Sequence, residues 1–308
     1  ASPGFTIRFE NNKIQIWGGP WEDITTTNIP TNQWTHIAIT INGTSVTGYV
    51  NGTQELTVTN NITFTTIGIG APFLLAHGTH YEGKMDEVRF WDVVRTQTEI
   101  QNNMNCDVAQ QPNLVAYYRF DQGTPGGNNT GTTTVFDYSG NGYCGTFQGF
   151  ALTGSSSNYV NGVFASCNAI SETEPEIDIQ GNNTSIADGD LIPDPADDTD
   201  FENVDVSSSK EHTFSIENTG TGNLNINAIN ITGTNSSEFV VSGITLPAAI
   251  AASSTTTFKV TFTPTAAGLR TATVELNNND CDENPYNFAI EGTGVVPEID
   301  VQGNGTSI

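Results

Sequence analysis

Two tryptophans four residues apart, in Trp17-Gly18-Gly19-Pro20-Trp21, are the side chains here best suited to holding a ligand. In Lys13-Ile14-Gln15-Ile16-Trp17, Ile14 and Ile16 fall on one face of a strand and Gln15 and Trp17 on the other. Trp17 then stands opposite the core, with Trp21 in the following loop. An aromatic plane so placed suits stacking on the apolar face of a sugar. Core packing is the commoner role for such a residue, because the second face of a sheet is often buried too.

Carboxylates are the next chemical resource. Glycoside hydrolysis needs two of them flanking the bond, one as acid and one as nucleophile. Glu176-Ile177-Asp178-Ile179-Gln180 offers an alternating pair, but its third position is Gln180, and Gln302 in a second copy. A solvated first strand is the better reading, and the chain is expected to bind and not to catalyse. Calcium wants clustered oxygen ligands. Asp86 alternates with Val88 and Phe90, and a carboxylate on an apolar face needs a partner, either a cation or backbone amides. Residues 171–206 hold 12 acids and no base, and Asn278, Asp280, Asp282 and Asn284 recur at every second position. Neither stretch matches the EF-hand pattern, which needs glycine at position six and glutamate at position twelve of the loop, so solvated loops are the first expectation and calcium the second.

The four histidines do not assemble a nucleophile site: His36 and His212 belong to strand patterns, and His77-Gly78-Thr79-His80 reads as a loop before it reads as a metal pair. Cys106, Cys144, Cys167 and Cys281 are compatible with two disulfides in an oxidising compartment, and four cysteines allow three pairings. Cys106 and Cys144 flank one strand pattern, Leu114–Phe120, so the expected pairs are Cys106 with Cys144 and Cys167 with Cys281.

The elements that position these residues are strands. Of 308 residues, 36% are hydrophobic and only 14% charged, with 31 Gly among many Asn and Thr. Such a mixture suits short strands joined by tight turns. Net charge is −25, with 12 acids and 6 bases in residues 1–170 and 22 acids and 3 bases in residues 171–308. That surface repels a phosphate backbone and a bare anionic membrane, so nucleic acid and membrane insertion are excluded as partners. No apolar run approaches the roughly 20 residues needed to cross a bilayer, and no signal peptide opens the chain.

Pro175 to Ile186 returns as Pro297 to Ile308 with ten of twelve positions identical, an offset of 122 residues (297 minus 175). A period that long is a whole domain. Residues 169–296 are therefore read as one repeat, and 297–308 as the first strand of the next, extended and not independently folded. Alternation in His212–Ile216, Thr257–Phe262, Thr271–Leu276 and Asn287–Ile290 points to a Greek-key sandwich. Ile216-Glu217-Asn218-Thr219-Gly220, Val260-Thr261-Phe262-Thr263-Pro264 and Ile290-Glu291-Gly292-Thr293-Gly294 carry a resemblance to immunoglobulin-like repeats of the ASPM/SPD-2/hydin type, in the choice-of-anchor group of bacterial surface proteins.

Residues 1–168 read differently. Trp34–Thr40 runs into Gly48-Tyr49-Val50-Asn51-Gly52, a strand pair closed by an Asn-Gly turn. Gly83–Trp91 and Arg95–Ile100 follow, with Thr96 and Glu99 at the spacing of a helix-opening capping box. Then come Leu114–Phe120 and Asp137-Tyr138-Ser139-Gly140-Asn141-Gly142. In combination these resemble the laminin-G-like, concanavalin A-like jelly roll of the pentraxin-related branch, with the family's opening strands missing. The resemblance implies a calcium site at Asp86 with loop groups like those of Asp137 and Asn141. The expected fold is all-β, a concanavalin A-like jelly-roll sandwich plus an immunoglobulin-like β-sandwich. The expected function is that of a secreted cell-surface adhesin segment, binding a glycan or an extracellular protein, with the repeats as a stalk. A purely structural stalk or filament unit contacting neighbouring repeats, and an accessory module of a polysaccharide-degrading enzyme, are the alternatives.

Overall fold

The computed structural model describes residues 6–17, 21–60, 69, 81–162, 174–297, 302–303 and 306–307. The chain divides into two compact units, residues 1–135 with 147–170, and residues 136–146 with 171–308.

The first unit opens with an antiparallel meander, β1 (Thr6–Glu10), β2 (Lys13–Trp17) and β3 (Trp21–Asp23). Asn11 and Asn12 turn β1 into β2 with φ of 52° and 60°. Asparagine tolerates that left-handed pair, whose twist matches the flanking strands. A second meander comprises β4 (Ile37–Asn42), β5 (Ser45–Val50) and β6 (Thr53–Thr59). The Asn51-Gly52 turn closes β5 on β6, and Gly43-Thr44 closes β4 on β5, one turn earlier than expected. Ile14, Ile16, Ile24, Ile29, Val46 and Val50 form the core, with Ile37, Ile39, Ile41 and Val58 packed against it.

β7 (Val88–Trp91) pairs with β8 (Leu114–Tyr118), and α1 (Gln97–Asn103) lies between them in sequence. Thr96 caps α1 as the sequence predicts: its hydroxyl accepts from the Glu99 amide, and its own amide donates to the Glu99 carboxylate at 2.8 Å. One expectation is corrected here. Asp86 does not share a strand face with Val88 and Phe90, because Glu87 adopts φ 58° and the strand starts only at Val88. The two-residue β9 (Thr134–Val135) completes the unit's described strands.

The second unit comprises the short β10 (Gly145–Thr146) and a sandwich. Its strands are β11 (Ile177–Gly181), β12 (Thr184–Ile186), β13 (Asp200–Asp205), β14 (Lys210–Asn218), β15 (Leu224–Ile226), β16 (Ala228–Thr232), β17 (Phe239–Ser242), β18 (Ala248–Ile250), β19 (Ser254–Phe262), β20 (Gly268–Asn277) and β21 (Tyr286–Val295). One sheet has the order β12-β11-β14-β19-β17 and the other β13-β21-β20-β16, with β15 and β18 as a separate pair. Every second residue of β14, β19, β20 and β21 points inward, as period-two patterning requires. Phe201, Phe214, Phe258, Phe262 and Phe288 are fully buried, and Phe214 stacks on Phe258 across the β14–β19 register at 5.4 Å. Burying each such ring contributes roughly 1.5–3 kcal/mol.

Beyond β21, β22 (Gln302–Gly303) pairs with β23 (Thr306–Ser307), Gln302 opposite Ser307 and Gly303 opposite Thr306. In the first copy Gln180 lies opposite Ser185 and Gly181 opposite Thr184. The repeated sequence thus reproduces the same pairing register in both copies.

Candidate functional site

The β1–β3 meander builds the aromatic site from its register. Trp17 is paired with Trp21, and the next row on the same face is Arg8, Gln15 and Asp23. Ile14 and Ile16, on the opposite face, have no exposed surface, which fixes the direction of the alternation. Both tryptophans are half-buried, their rings 5.4 Å apart and tilted by 55°. The Arg8 guanidinium lies 3.8 Å above the Trp21 ring, and its Nε donates to Gln15 Oε1 at 2.8 Å. Gln15 Nε2 in turn donates to Asp23 Oδ1 at 2.6 Å. Lys13 stands 3.7 Å from Asp23, and Arg8 3.8 Å from Glu10. The face therefore combines aromatic surface with a chain of donors and acceptors whose formal charges cancel. Sequence reading found the tryptophans and missed Arg8 and Asp23. Those two come to the face through pairing with Gln15, which alternation in one strand does not reveal.

A second cluster joins the residue before β11 to the β20–β21 loop. Glu176, Asp280 and Asp282 bring one carboxylate oxygen each within 4.8 Å of one another. Asp280 is 2% exposed, and its Oδ2 accepts from the Ile177 amide at 2.9 Å. Burial and a hydrogen bond shared with the Asp282 carboxyl hold Asp280 well above the usual carboxylate range. Burial also raises Glu176, with the Asp282 charge adding to it, and burial with the surrounding acids lifts Glu283 to about 7. Such a group is satisfied either by a retained proton or by a cation. Asn278 shapes the loop: its Oδ1 accepts from the Asp280 amide at 2.7 Å, and its Nδ2 donates to Leu276 and Glu283 carbonyls. Residues 278–284 are not a strand, so the every-second-residue pattern does not make a single face.

The acids of 188–200 serve their own turns. Asp190, Asp194, Asp197 and Asp200 each accept from the amide two residues ahead, and Asp188 accepts from Asn287. Asp86 belongs to the first unit, while Asp137 and Asn141 belong to the second. Asp137 is buried, and its oxygens accept from the Ser139 amide, the Ser139 hydroxyl and the Tyr143 amide at 3.0, 2.8 and 2.9 Å. Asn141 Nδ2 lies 3.1 Å from the Ser139 hydroxyl.

Cys144 is joined to Cys281, not to Cys106, which corrects the expected pairing. The 136–146 segment packs with the second unit, so the strand that Cys106 and Cys144 flank does not bring them together. Cys106 is disulfide-bonded as well, and Cys167, like His77 and His80, lies outside the described residues. His212 Nδ1 donates to the Asp198 carbonyl at 2.7 Å, and its ring stacks on Phe201 at 4.2 Å. His36 is lowered to about 4, by burial first and then by the nearby Arg89 charge. Arg89 and Tyr117 both bond the Glu87 carboxylate, and Arg89 also donates to the Asn103 carbonyl at 2.7 Å, so this polar network ties β7 and β8 to the end of α1.

Residues 2–101 match the family described as the concanavalin A-like lectin/glucanases superfamily, and residues 195–293 match the HYDIN/CFA65/VesB-like Ig-like domain. The chain thus carries one domain of each kind. No curated protein matches it. Among solved structures, a putative carbohydrate binding protein from Bacteroides ovatus aligns at 24% identity and TM-score 0.37, over 44% of this chain and 43% of that one. The PapD-like domain 7 of human CEP192 aligns at 13% identity and TM-score 0.26, over 45% of this chain and 99% of that one. The S-layer protein rSbsC aligns at 12% identity and TM-score 0.24, over 97% of this chain and 39% of that one. The chain therefore spans less than half of the first and third of these structures.

Proposed function

We propose that this chain is a non-enzymatic adhesin segment of a secreted surface protein, whose first unit binds a neutral glycan through the β1–β3 face. The observation that carries the reading is the row Trp17–Trp21 beside the row Arg8–Gln15–Asp23 on one side of a three-stranded sheet. Aromatic planes stack on the C–H face of a pyranose, and amide, guanidinium and carboxylate groups bond its hydroxyls. Arg8 covers one side of Trp21, so Trp17 supplies the main stacking plane and Arg8 frames it. Two bases and two acids around the pair favour a neutral sugar over an anionic one. The concanavalin A-like assignment of residues 2–101 supports the same reading.

In this reading the Ig-like unit is a spacer, a role favoured by the repeated hairpin register of β11–β12 and β22–β23. Calcium, held by Glu176, Asp280 and Asp282, replaces the proton that buried Asp280 otherwise retains and ties the start of β11 to the β20–β21 loop. A disulfide is consistent with an oxidising, extracellular setting. Electrophoresis of the full chain through native gels cast with neutral polysaccharides tests the glycan reading. At least one polysaccharide should retard the wild-type chain and leave Trp17→Ala unretarded at unchanged melting temperature. Equal mobility of the two proteins in every gel overturns it.

A further inference from the structure

The second unit contains an open, uncharged cleft that the adhesin reading does not use. Its volume is about 240 Å³, and it is lined by Gly140, Asn141, Asn225, Asn227, Asn279 and the Pro247–Ala249 stretch. One wall is the β15–β18 pair. Leu224 and Ile226 point into the core with no exposed surface, so Asn225 between them faces outward, opposite Ala249 in the register. Asn227 repeats that parity beyond the end of β15.

The opposite wall is the turn at Gly140 and Asn141, held by the Cys144–Cys281 disulfide. Gly142 lets this turn approach: its φ is 74°, and a Cβ there would lie 2.8 Å from Asn279 Cα. Asn279, 4% exposed, is the floor. Its Oδ1 accepts from the Asn225 amide at 2.7 Å, and its Nδ2 donates to the Gly140 and Asn223 carbonyls at 3.0 and 3.1 Å. The cleft is thus braced by a fully engaged buried amide and a covalent link. By contrast, the side-chain amides of Asn225 and Asn227 make no hydrogen bond within the described residues.

We infer that this cleft is a second ligand site, for a single neutral glycosyl residue. Each free amide presents one acceptor and two donors in a plane, the complement of a pair of neighbouring hydroxyls. Pro247 and Ala249 give an apolar strip for the sugar's C–H groups. No charged residue lines the cleft, and the second half of the chain is strongly acidic, so an anionic ligand is disfavoured both locally and at long range. At 240 Å³ it falls below the roughly 300 Å³ at which sites for drug-sized ligands begin, which fits one ring and not an oligosaccharide. The site is independent of the β1–β3 face, and variants separate the two.

Amide-proton NMR titration of the full 15N-labelled chain with glucose, galactose, mannose and N-acetylglucosamine tests the inference. At least one sugar, at millimolar concentration, should shift the backbone amides of Gly140, Asn225 and Ala249 and the side-chain amides of Asn225 and Asn227. Asn225→Ala should weaken that binding about tenfold, the loss of about one hydrogen-bonding group, with an otherwise unchanged spectrum. Trp17→Ala should leave the shifts intact. Silence at these amides with all four sugars overturns the inference, as does binding that survives in the Asn225→Ala/Asn227→Ala double variant. Shifts at these amides that Trp17→Ala abolishes would likewise refute it.

Discussion

Individual residues set how the first unit answers to acid. His36 titrates near 4 in the folded chain against an ordinary 6.5, so between these values the unfolded chain binds more protons. Stability contributed by neutral His36 is therefore present above pH 6.5 and is lost as the pH falls toward 4, amounting to roughly 2–3 kcal/mol. Glu55 extends the trend. Hydrogen bonds from Thr26 and Thr27 lower it to about 2, so its contribution is present above the ordinary carboxylate range and disappears as the pH falls through 2. All four tryptophans lie in the first unit, which makes their fluorescence a selective probe. The fluorescence melting temperature should drop steadily from pH 7 to pH 4, and His36→Gln should flatten that slope. A wild-type curve independent of pH over this range would contradict the assignment. Little of this was visible in the sequence, because His36 owes its shift to burial and to Arg89, 53 positions away (89 minus 36).

Elements were the most legible level. Alternation in β14, β19, β20 and β21 is carried by local sequence, and the Thr96–Glu99 capping box lies within a single turn, so both are read without tertiary knowledge. Thr96→Ala should destabilise the first unit by about 1 kcal/mol, read as a shift in its denaturant midpoint with an unchanged slope. The strand face expected to carry Asp86 with Val88 and Phe90 does not form for an element-level reason: Glu87, at φ 58°, interrupts the alternation and the strand starts only at Val88. The cysteines failed because pairing follows the three-dimensional path of 136–146 and not the strand it follows in sequence. The Cys144–Cys281 bond closes a loop of 137 residues. Replacing both cysteines with alanine should cost the second unit about 2–4 kcal/mol, measured by the circular-dichroism melt. An unchanged melt would show that the 136–146 segment contributes nothing to that unit's stability.

At the scale of the whole molecule, the proposed function assigns the two units different work: in it the first presents a ligand face, and the second, with its repeated hairpin, gives reach and a cation-dependent brace. The triad was only half legible, since Asp280 and Asp282 stand out in sequence while Glu176 lies over 100 positions earlier and reaches them only through the Ile177–Asp280 contact. A ligand bound only by the folded state adds about 2.7 kcal/mol at a hundredfold excess over its dissociation constant. Millimolar calcium should therefore raise the second unit's melting temperature and chelator should lower it, with Asp282→Asn losing most of the effect. Identical melts in calcium and chelator would remove calcium from the account. The central claim, glycan recognition by the β1–β3 face, is tested most directly by a glycan array probed with the full chain beside its Trp17→Ala/Trp21→Ala variant. A set of neutral glycans should be bound by the wild-type chain and missing from a variant that still folds. A blank wild-type array, or the same bound set in both proteins, would contradict that claim.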